Sequence, residues 1–485
     1  MGRADSISFP HDEAGVVEVV RAIGAAGGAI TTQGARTGIV GGAAPNGGHV
    51  LNLSRMKAIG NVLRDERTGE AYIIAQPGAL LSEVREVVEK EGLIFPPDPT
   101  ETTCSIGGMA ACNASGAMSF FYGPTRNWVR ALRVVLADGS VLSIRRGTNF
   151  AEGRSFRLVT EGGRVIEGAL PSYSLPKVKS AAGYYAADNM DMIDLFIGME
   201  GTLGIITEVE LRLIPKPPAV AGLTIFPSDE ESAIKMVRAV RGEAVDGLPS
   251  MTVKPVAIEF FNHDALDLLR RMKASNDAFA EIPSIGPHFH TAVYIEFHAE
   301  SGEGIEEAME PVMEAMVALD ISDEDAWFAD IERELAPIKA FRHAVPEAVN
   351  LLIDERRRSC PTLTKLSTDM SVTDSELESA LRMYNEGLAE SGLESVIFGH
   401  IGDNHVHVNI LPNSIEDYEK GKALYLSWAR RVVAMGGSIS AEHGIGKIKA
   451  PMLELMYGEQ GVSEMRSLKR LFDPEMMLNP GDLFG

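Results

Sequence analysis

Cysteine is scarce: Cys104, Cys112 and Cys360 are the three in a chain of 485 residues. An all-cysteine iron–sulfur cluster takes four thiolates, so the chain holds no such cluster by itself. Three thiols make no disulfide framework either. Cys104 and Cys112 lie in a Gly/Ala-rich stretch and read as small buried hydrophobes. Positive charge is also short, with 45 Lys and Arg against 68 Asp and Glu and a net charge of -23. That balance repels a phosphate backbone. The one basic run, 356–358, is short and follows Asp354 and Glu355, so nucleic acid is excluded as a partner. A small anionic substrate stays open, because a few buried cations decide that locally. No apolar run approaches the roughly 20 residues of a membrane span. The opening Met1-Gly-Arg-Ala-Asp-Ser has no apolar signal-peptide region. A cytoplasmic chain is expected, or one held at a membrane through a partner. Two nucleotide templates are missing as well: neither G-x-G-x-x-G nor G-x-x-x-x-G-K-[ST] occurs.

What is present is ordinary for a globular protein, with 45% hydrophobic and 23% charged residues and length for two or three domains. The 48 glycines are densest over 24–48 and 107–123. The pattern predicts a helix over 12–26, a short strand over 28–33 and a glycine loop over 34–42. Strands follow at 50–53 and 71–75, then a helix over 80–91. A hairpin, 131–136 with 141–144, turns at Asp138-Gly139. A strand spans 204–213. Pro215-Lys-Pro-Pro218 is the strongest break. After it come a strand at 223–226, helices at 228–241 and 263–280, a strand at 291–297, and a helix at 303–319. A strand pair over 396–411 and helices from 415 onward close the chain. Three domains are expected: 1–217, 218–414 and 415–485. No internal repeat or low-complexity linker is seen.

The glycine loop alone reads as a tight turn as readily as a phosphate cradle. The histidines carry more. His405, His407 and Asn409 stand at i, i+2 and i+4, which on a strand puts them on one face. His400 precedes the Gly402-Asp403 turn, which can bring it back beside His407. Converging imidazoles suit a divalent transition metal; the alternative is a solvated strand with incidental histidines.

Four segments stand out together. The first is Gln33, Gly34, Ala35, Arg36, Thr37 and Gly38 with Gly41 and Gly42. The second is Pro97, Asp98 and Thr100, then Ser105, Gly107 and Gly108, then Asn113 and Gly116, then Tyr122 and Gly123. The third is Glu200 with Gly204, Ile205 and Ile206. The fourth is Asn479 in Asn479-Pro-Gly481. In this order they resemble the FAD-linked 2-hydroxy-acid dehydrogenases of the vanillyl-alcohol-oxidase type, a group that includes D-lactate dehydrogenase, the glycolate oxidase flavin subunit and D-2-hydroxyglutarate dehydrogenase. The resemblance implies an α+β fold: a PCMH-type FAD-binding domain, a ferredoxin-like α+β substrate (cap) domain, and a C-terminal helical segment returning to the flavin site. It implies that these residues bind FAD. Residues 34–38 would wrap the pyrophosphate, Gly107, Gly108 and Gly116 would let the chain pass close to the flat cofactor, and Ile205 and Ile206 would meet the adenine or ribityl side. Covalent attachment in related enzymes often uses a histidine of the first loop. None occurs between Thr31 and Gly48, so non-covalent FAD is expected.

Ser440-Ala-Glu-His-Gly-Ile-Gly446 resembles the family's S-x-E-H-G-x-G segment. By that resemblance His400, His407 and Glu442 hold a divalent metal (Zn, Mn or Fe), and His443 is the catalytic base. Three ligands leave positions open for substrate. Arg342 resembles the carboxylate-binding arginine, against the alternative of a helix-surface arginine; Lys365 adds a second positive charge. The usual G-D-G-N-x-H here reads Gly402-Asp-Asn-His-Val-His407. Asn404 therefore has to take a left-handed turn, which Asn tolerates, and His405 stands where asparagine is usual.

The implied reaction oxidises a D-2-hydroxy acid, D-lactate first, to the 2-oxo acid, with hydride to flavin N5. Electrons then pass to an external acceptor: electron-transfer flavoprotein, a quinone, a cytochrome or an iron–sulfur subunit. A homodimer or a hetero-complex fits that role. Three other readings stay open: a flavin oxidase, a non-catalytic electron-relay subunit, and a metal-dependent hydrolase without flavin. An ether-lipid-type synthase on the same fold is disfavoured by the histidine cluster.

Overall fold

The computed structural model describes residues 2–484; Met1 of the opening stretch and Gly485 lie outside the described residues. The chain forms two compact units. The first holds the residues up to 116, Gly123–Lys216, and the residues from Ser438 on; the second holds Ala117–Tyr122 and Pro217–Gly437. One break falls inside the proline-rich 215–218 stretch. The other falls after Gly437 rather than after residue 414. The helix Ile415–Ala434 therefore belongs to the second unit, where it buries Tyr425, Trp428, Ala429 and Val432 and sets Trp428 edge-on to Tyr384 at 5.1 Å. Among the described residues no helix is long and apolar enough to cross a membrane.

In the first unit the helix Glu13–Ala25 starts at Asp12, whose side chain accepts the Gly15 N–H at 2.8 Å. Its buried Val16 and Val20 share a core with Ile30, Leu51, Val135 and Ile205. Three parallel strands lie in the order Ser6–Ser8, His49–Asn52, Ile30–Gln33. A five-stranded antiparallel sheet follows the order Leu63–Arg64, Ala71–Ala75, Ile205–Arg212, Val129–Val135, Val141–Arg145. The expected hairpin is its last pair, turning at Gly139 with φ +75. The chain end returns to the first strands, where Asn479 N–H donates to Ile30 O at 2.7 Å.

The second unit is built on an antiparallel sheet. Its order is Ala326–Ala329, Ala219–Ile225, Ala292–Ala299, Ala257–Phe261, Ser395–His400, His405–Ile410, Leu366–Ser367, with Met370–Ser371 also on His405–Ile410. Side chains alternate between faces, so the register sorts them. One face carries Leu223, Ile225, Val293, Ile295, Ile258, Phe260, Val406, Val408 and Ile410, all buried. The helix Ile415–Ala434 packs there, with Gly421 against Leu366 and Ile410. The opposite face carries Tyr294, Glu296, Glu259, His400, His405, His407, Asn409 and Ser367. The helix Glu332–Arg357 covers part of it, with Phe341 against Phe261 at 5.0 Å between ring centres. That second face is mixed: the buried Phe261, Phe398 and Val396 stand on it beside the polar groups.

Candidate active site

The strand pair Ser395–His400 and His405–Ile410 brings the three histidines together. His400 sits opposite His405, and Phe398 opposite His407. Ring centres are 5.5 Å apart for His400 and His405, 5.7 Å for His400 and His407, and 4.4 Å for His405 and His407. The connecting turn needs a left-handed residue, and Asn404 takes it at φ 52. Its amide donates to Asp374 at 2.6 Å and its carbonyl accepts from Arg241 at 2.5 Å. An asparagine is thus tied down where the usual glycine would be free.

Each histidine has an oriented ring. His400 Nδ1 lies 2.7 Å from Glu259 Oε1, and both side chains are buried. His407 Nδ1 lies 2.9 Å from the Thr368 carbonyl. Carboxylate and carbonyl oxygens only accept, so both Nδ1 atoms are the donors in these contacts. Backing a histidine in this way is how proteins prepare a metal ligand. His405 differs: its Nε2 lies 3.1 Å from Asp369 Oδ1, and both side chains are fully buried. Asn409, next along the same face and 1% exposed, has no partner for its Nδ2 or its Oδ1 among the described residues. A buried amide left open costs on the order of 1–3 kcal/mol.

Arg342 is buried on the sheet side of its helix, not on the helix surface. Its guanidinium stands over the Tyr294 ring at 5.8 Å, and an Nη lies 2.9 Å from His343 Nε2. Beside it on the sheet is Glu296, 2% exposed. Glu296 accepts from Lys339 at 3.0 Å, from His298 at 3.2 Å, and from the Tyr294 hydroxyl. Burial works against its ionisation, but the His298 hydrogen bond and the Lys339 and Arg342 charges outweigh it and hold the carboxyl far below its usual range. Tyr122, expected at the cofactor, belongs to the second unit; its hydroxyl meets His298 Nδ1 at 2.8 Å. Lys365 lies two residues before Ser367. Burial lowers its ammonium's pKa.

In the first unit, the glycine loop follows the strand Ile30–Gln33. Gln33 donates to Ala43 O at 2.8 Å and accepts from Asn52 at 3.2 Å, which fixes the loop's start. Ala35 N–H reaches Ser105 Oγ at 3.3 Å. Arg36 is left-handed at φ 66 and Gly41 at φ 79. From residue 36 to 42 no backbone N–H has a protein acceptor among the described residues. Such a run of uncommitted donors fits a pyrophosphate. A side chain at Gly38 would meet open space.

Other expected cofactor residues have protein neighbours of their own. Arg85 donates at 2.9 Å both to Pro97 O and to Asp98. Thr100 is exposed. Gly107 and Gly108 lie in the helix Ile106–Cys112 after Ser105, and left-handed Asn113 ends it. Asn113 Oδ1 accepts Arg126 N–H at 2.9 Å. A Cβ at Gly116 would stand 1.7 Å from Asp98 O, and one at Gly107 2.4 Å from Pro77. Close approach therefore explains both glycines, but the approaching atoms belong to the chain itself. Gly123 is left-handed at φ 76. Gly204 leads into the strand Ile205–Arg212, where Ile205 and Ile206 are buried. Asn479 accepts Thr32 N–H and donates to Glu200 O, both at 2.8 Å.

The 440–446 turn carries Glu442 and His443. Glu442 Oε2 accepts from Lys179 at 2.8 Å and from Ser115 Oγ at 3.1 Å. His443 Nε2 lies 3.6 Å from Glu442 Oε1. Glu200 accepts Ile445 N–H at 2.8 Å and Gly446 N–H at 2.7 Å. Burial pushes the Glu200 carboxyl up to about 7 against the pull of those donors. Lys447 bridges Asp482 at 2.7 Å and Gly42 O at 3.1 Å, tying this turn to the glycine loop. Glu259, Glu296, Lys179 and Lys447 escaped the sequence reading. The available signal was a carboxylate inside an otherwise apolar strand, as in Ala257-Ile-Glu-Phe-Phe261 and Val293-Tyr-Ile-Glu-Phe297.

Comparison with known proteins fits both halves. Residues 4–145 match the FAD binding domain model, and residues 223–483 match the model of FAD linked oxidases, C-terminal domain. The chain is 31% identical to a D-lactate dehydrogenase of Anaerostipes hadrus, over 94% of this chain and 84% of the relative. It is 30% identical to a D-2-hydroxyglutarate dehydrogenase of Xanthomonas citri pv. viticola, over 99% and 89%. It is 27% identical to the glycolate oxidase subunit GlcD of Bacillus subtilis, over 94% and 83%. A solved alkyldihydroxyacetonephosphate synthase shares the fold at a TM-score of 0.65 and 18% identity, over 98% of this chain and 76% of that one. The chain belongs to the FAD-linked oxidase family and is an FAD-dependent oxidoreductase.

Proposed function

We propose that this protein is a dehydrogenase that oxidises a D-2-hydroxy acid, D-lactate first, to the 2-oxo acid, using non-covalent FAD and a divalent metal. The observation that carries the reading is the histidine cluster on one face of the sheet. There His400 and His407 converge, 5.7 Å apart between ring centres, with their Nδ1 atoms held by Glu259 and the Thr368 carbonyl, beside a buried Asn409 whose amide has no protein partner among the described residues. Relatives named for D-lactate and D-2-hydroxyglutarate support the substrate class.

When bound, FAD supplies the two-electron acceptor, and a metal on His400, His407 and Glu442 supplies positive charge for the substrate's hydroxyl and carboxylate oxygens. The uncommitted N–H groups of the glycine loop take the pyrophosphate. Non-covalent binding is supported by His49, the first histidine after the loop, whose ring nitrogens both lie 2.8 Å from serine hydroxyls, of Ser6 and Ser8. His443 takes the hydroxyl proton. Arg342 and Asn409 hold the carboxylate and so orient the α-hydrogen. Lys365 adds a second positive charge. An external acceptor, as named above, reoxidises the flavin, in a homodimer or in a hetero-complex.

Chelation tests the metal half of this reading. Dialysis against a chelator is expected to abolish flavin reduction by the substrate acid while FAD stays bound. Zn, Mn or Fe should restore it. An undiminished rate in protein freed of metal would remove the metal from the reaction.

A further inference from the structure

We propose that Glu200 is a positioning residue for the 440–446 turn, setting the loop that presents Glu442 and His443, and not a contact for the cofactor. The significance of Glu442 and His443 rests on the function proposed above; the clamp itself does not.

Both oxygens of Glu200 are committed, Oε1 to Ile445 N–H at 2.8 Å and Oε2 to Gly446 N–H at 2.7 Å. Two successive backbone donors aimed at one carboxylate form a small anion-binding concavity, filled here from within the chain. The turn is shaped for it. Gly444 and Gly446 are left-handed at φ 77 and φ 50. A Cβ at Gly444 would press on the Glu200 carboxyl at 3.1 Å, and one at Gly446 would stand 2.3 Å from Val40 O. Positions 444 and 446 therefore have no room for a side chain, the first against the clamp and the second against the glycine loop.

Glu200 is itself held. It is 6% exposed and left-handed at φ 53. Its N–H donates to Ala111 O at 2.8 Å, and its carbonyl accepts from Asn479, which also takes Thr32 N–H. One buried side chain thus links the helix Ile106–Cys112, the strand leading to the glycine loop, the chain end and the 440–446 turn. A carboxylate suits this place because it offers an acceptor to each N–H. Glutamine offers one acceptor and turns an NH2 toward the other donor.

The test uses the full-length holoenzyme with Glu200→Gln, and Glu200→Asp as a second variant that keeps charge and both acceptors. Hydrogen exchange at one of the Ile445 and Gly446 amides, the one left facing the glutamine NH2, is expected to rise roughly 10- to 100-fold in Glu200→Gln, the factor carried by a lost charge-assisted hydrogen bond. FAD content should stay at the wild-type level. The rate of flavin reduction should fall in kcat more than in KM, and Glu200→Asp should fall between. Loss of FAD with unchanged exchange over 440–446 would make Glu200 a cofactor contact. Unchanged exchange with FAD retained would equally overturn the proposal. A wild-type protein that oxidises no hydroxy acid would sink the function proposed above, yet leave the exchange result readable.

Discussion

His443→Ala is expected to slow flavin reduction by the substrate acid roughly 10²- to 10⁴-fold, the range that loss of a general base carries, with FAD retained. The environment supports this size of effect. His443 is a quarter exposed, with 25% of its side chain open, beside a Glu442 that is 9% open. The ring is therefore reachable while its neighbour is held by Lys179 and Ser115. The turn beneath is tied by hydrogen bonds: Ser440 Oγ donates to Gly444 O at 2.6 Å, and the Glu200 clamp follows directly. Removing the imidazole should leave that scaffold standing, so the loss should appear in the chemical step and not in the melting temperature. Single-turnover mixing of oxidised enzyme with substrate reads the step directly. A wild-type rate would take the proton-transfer role away from His443.

The second large effect is expected from Arg342→Lys. Lysine keeps the positive charge beside Glu296 but loses the planar fork that grips a carboxylate through two hydrogen bonds. A fall in kcat/KM of about 10- to 100-fold is expected, mostly through KM, equal to roughly 1.5–3 kcal/mol for a hydrogen bond to a charged group. Arg342 is buried, so the change also removes its contact over Tyr294. FAD content and melting temperature therefore serve as controls. A kcat/KM equal to the wild type's, with those controls unchanged, would return Arg342 to a packing role.

Local pattern made much of this legible. The i, i+2, i+4 spacing of His405, His407 and Asn409 placed them on one strand face, and the register bears that out. The left-handed Asn404 followed from the turn's demand on its backbone, and many strands and helices and the Asp-Gly hairpin followed from periodicity, but the helix Glu332–Arg357, which carries Arg342, and the strand Ala257–Phe261, which carries Glu259, were not among the expected elements. Contacts distant in sequence were not legible. Glu259 lies 141 positions before the histidine it orients, and no spacing rule connects them. Lys179 lies 263 positions from Glu442. The 117–122 segment pairs Tyr122 with a histidine 176 positions later. Glycines were read as room for a cofactor, whereas Gly107 and Gly116 have Pro77 and the Asp98 carbonyl as their close neighbours. A glycine reports that something comes close, not what it is. The helix Ile415–Ala434 was set with the C-terminal segment because nothing in its amphipathic pattern says which apolar surface it covers.

The most direct test of the account is an anaerobic absorbance spectrum from about 300 to 550 nm, recorded before and after each of a panel of D- and L-2-hydroxy acids. The account predicts a yellow protein whose flavin is bleached in a two-electron step by at least one D-acid and left oxidised by its L-enantiomer. A flavin that stays oxidised with every D-acid, or that an L-acid reduces as fast, would contradict it.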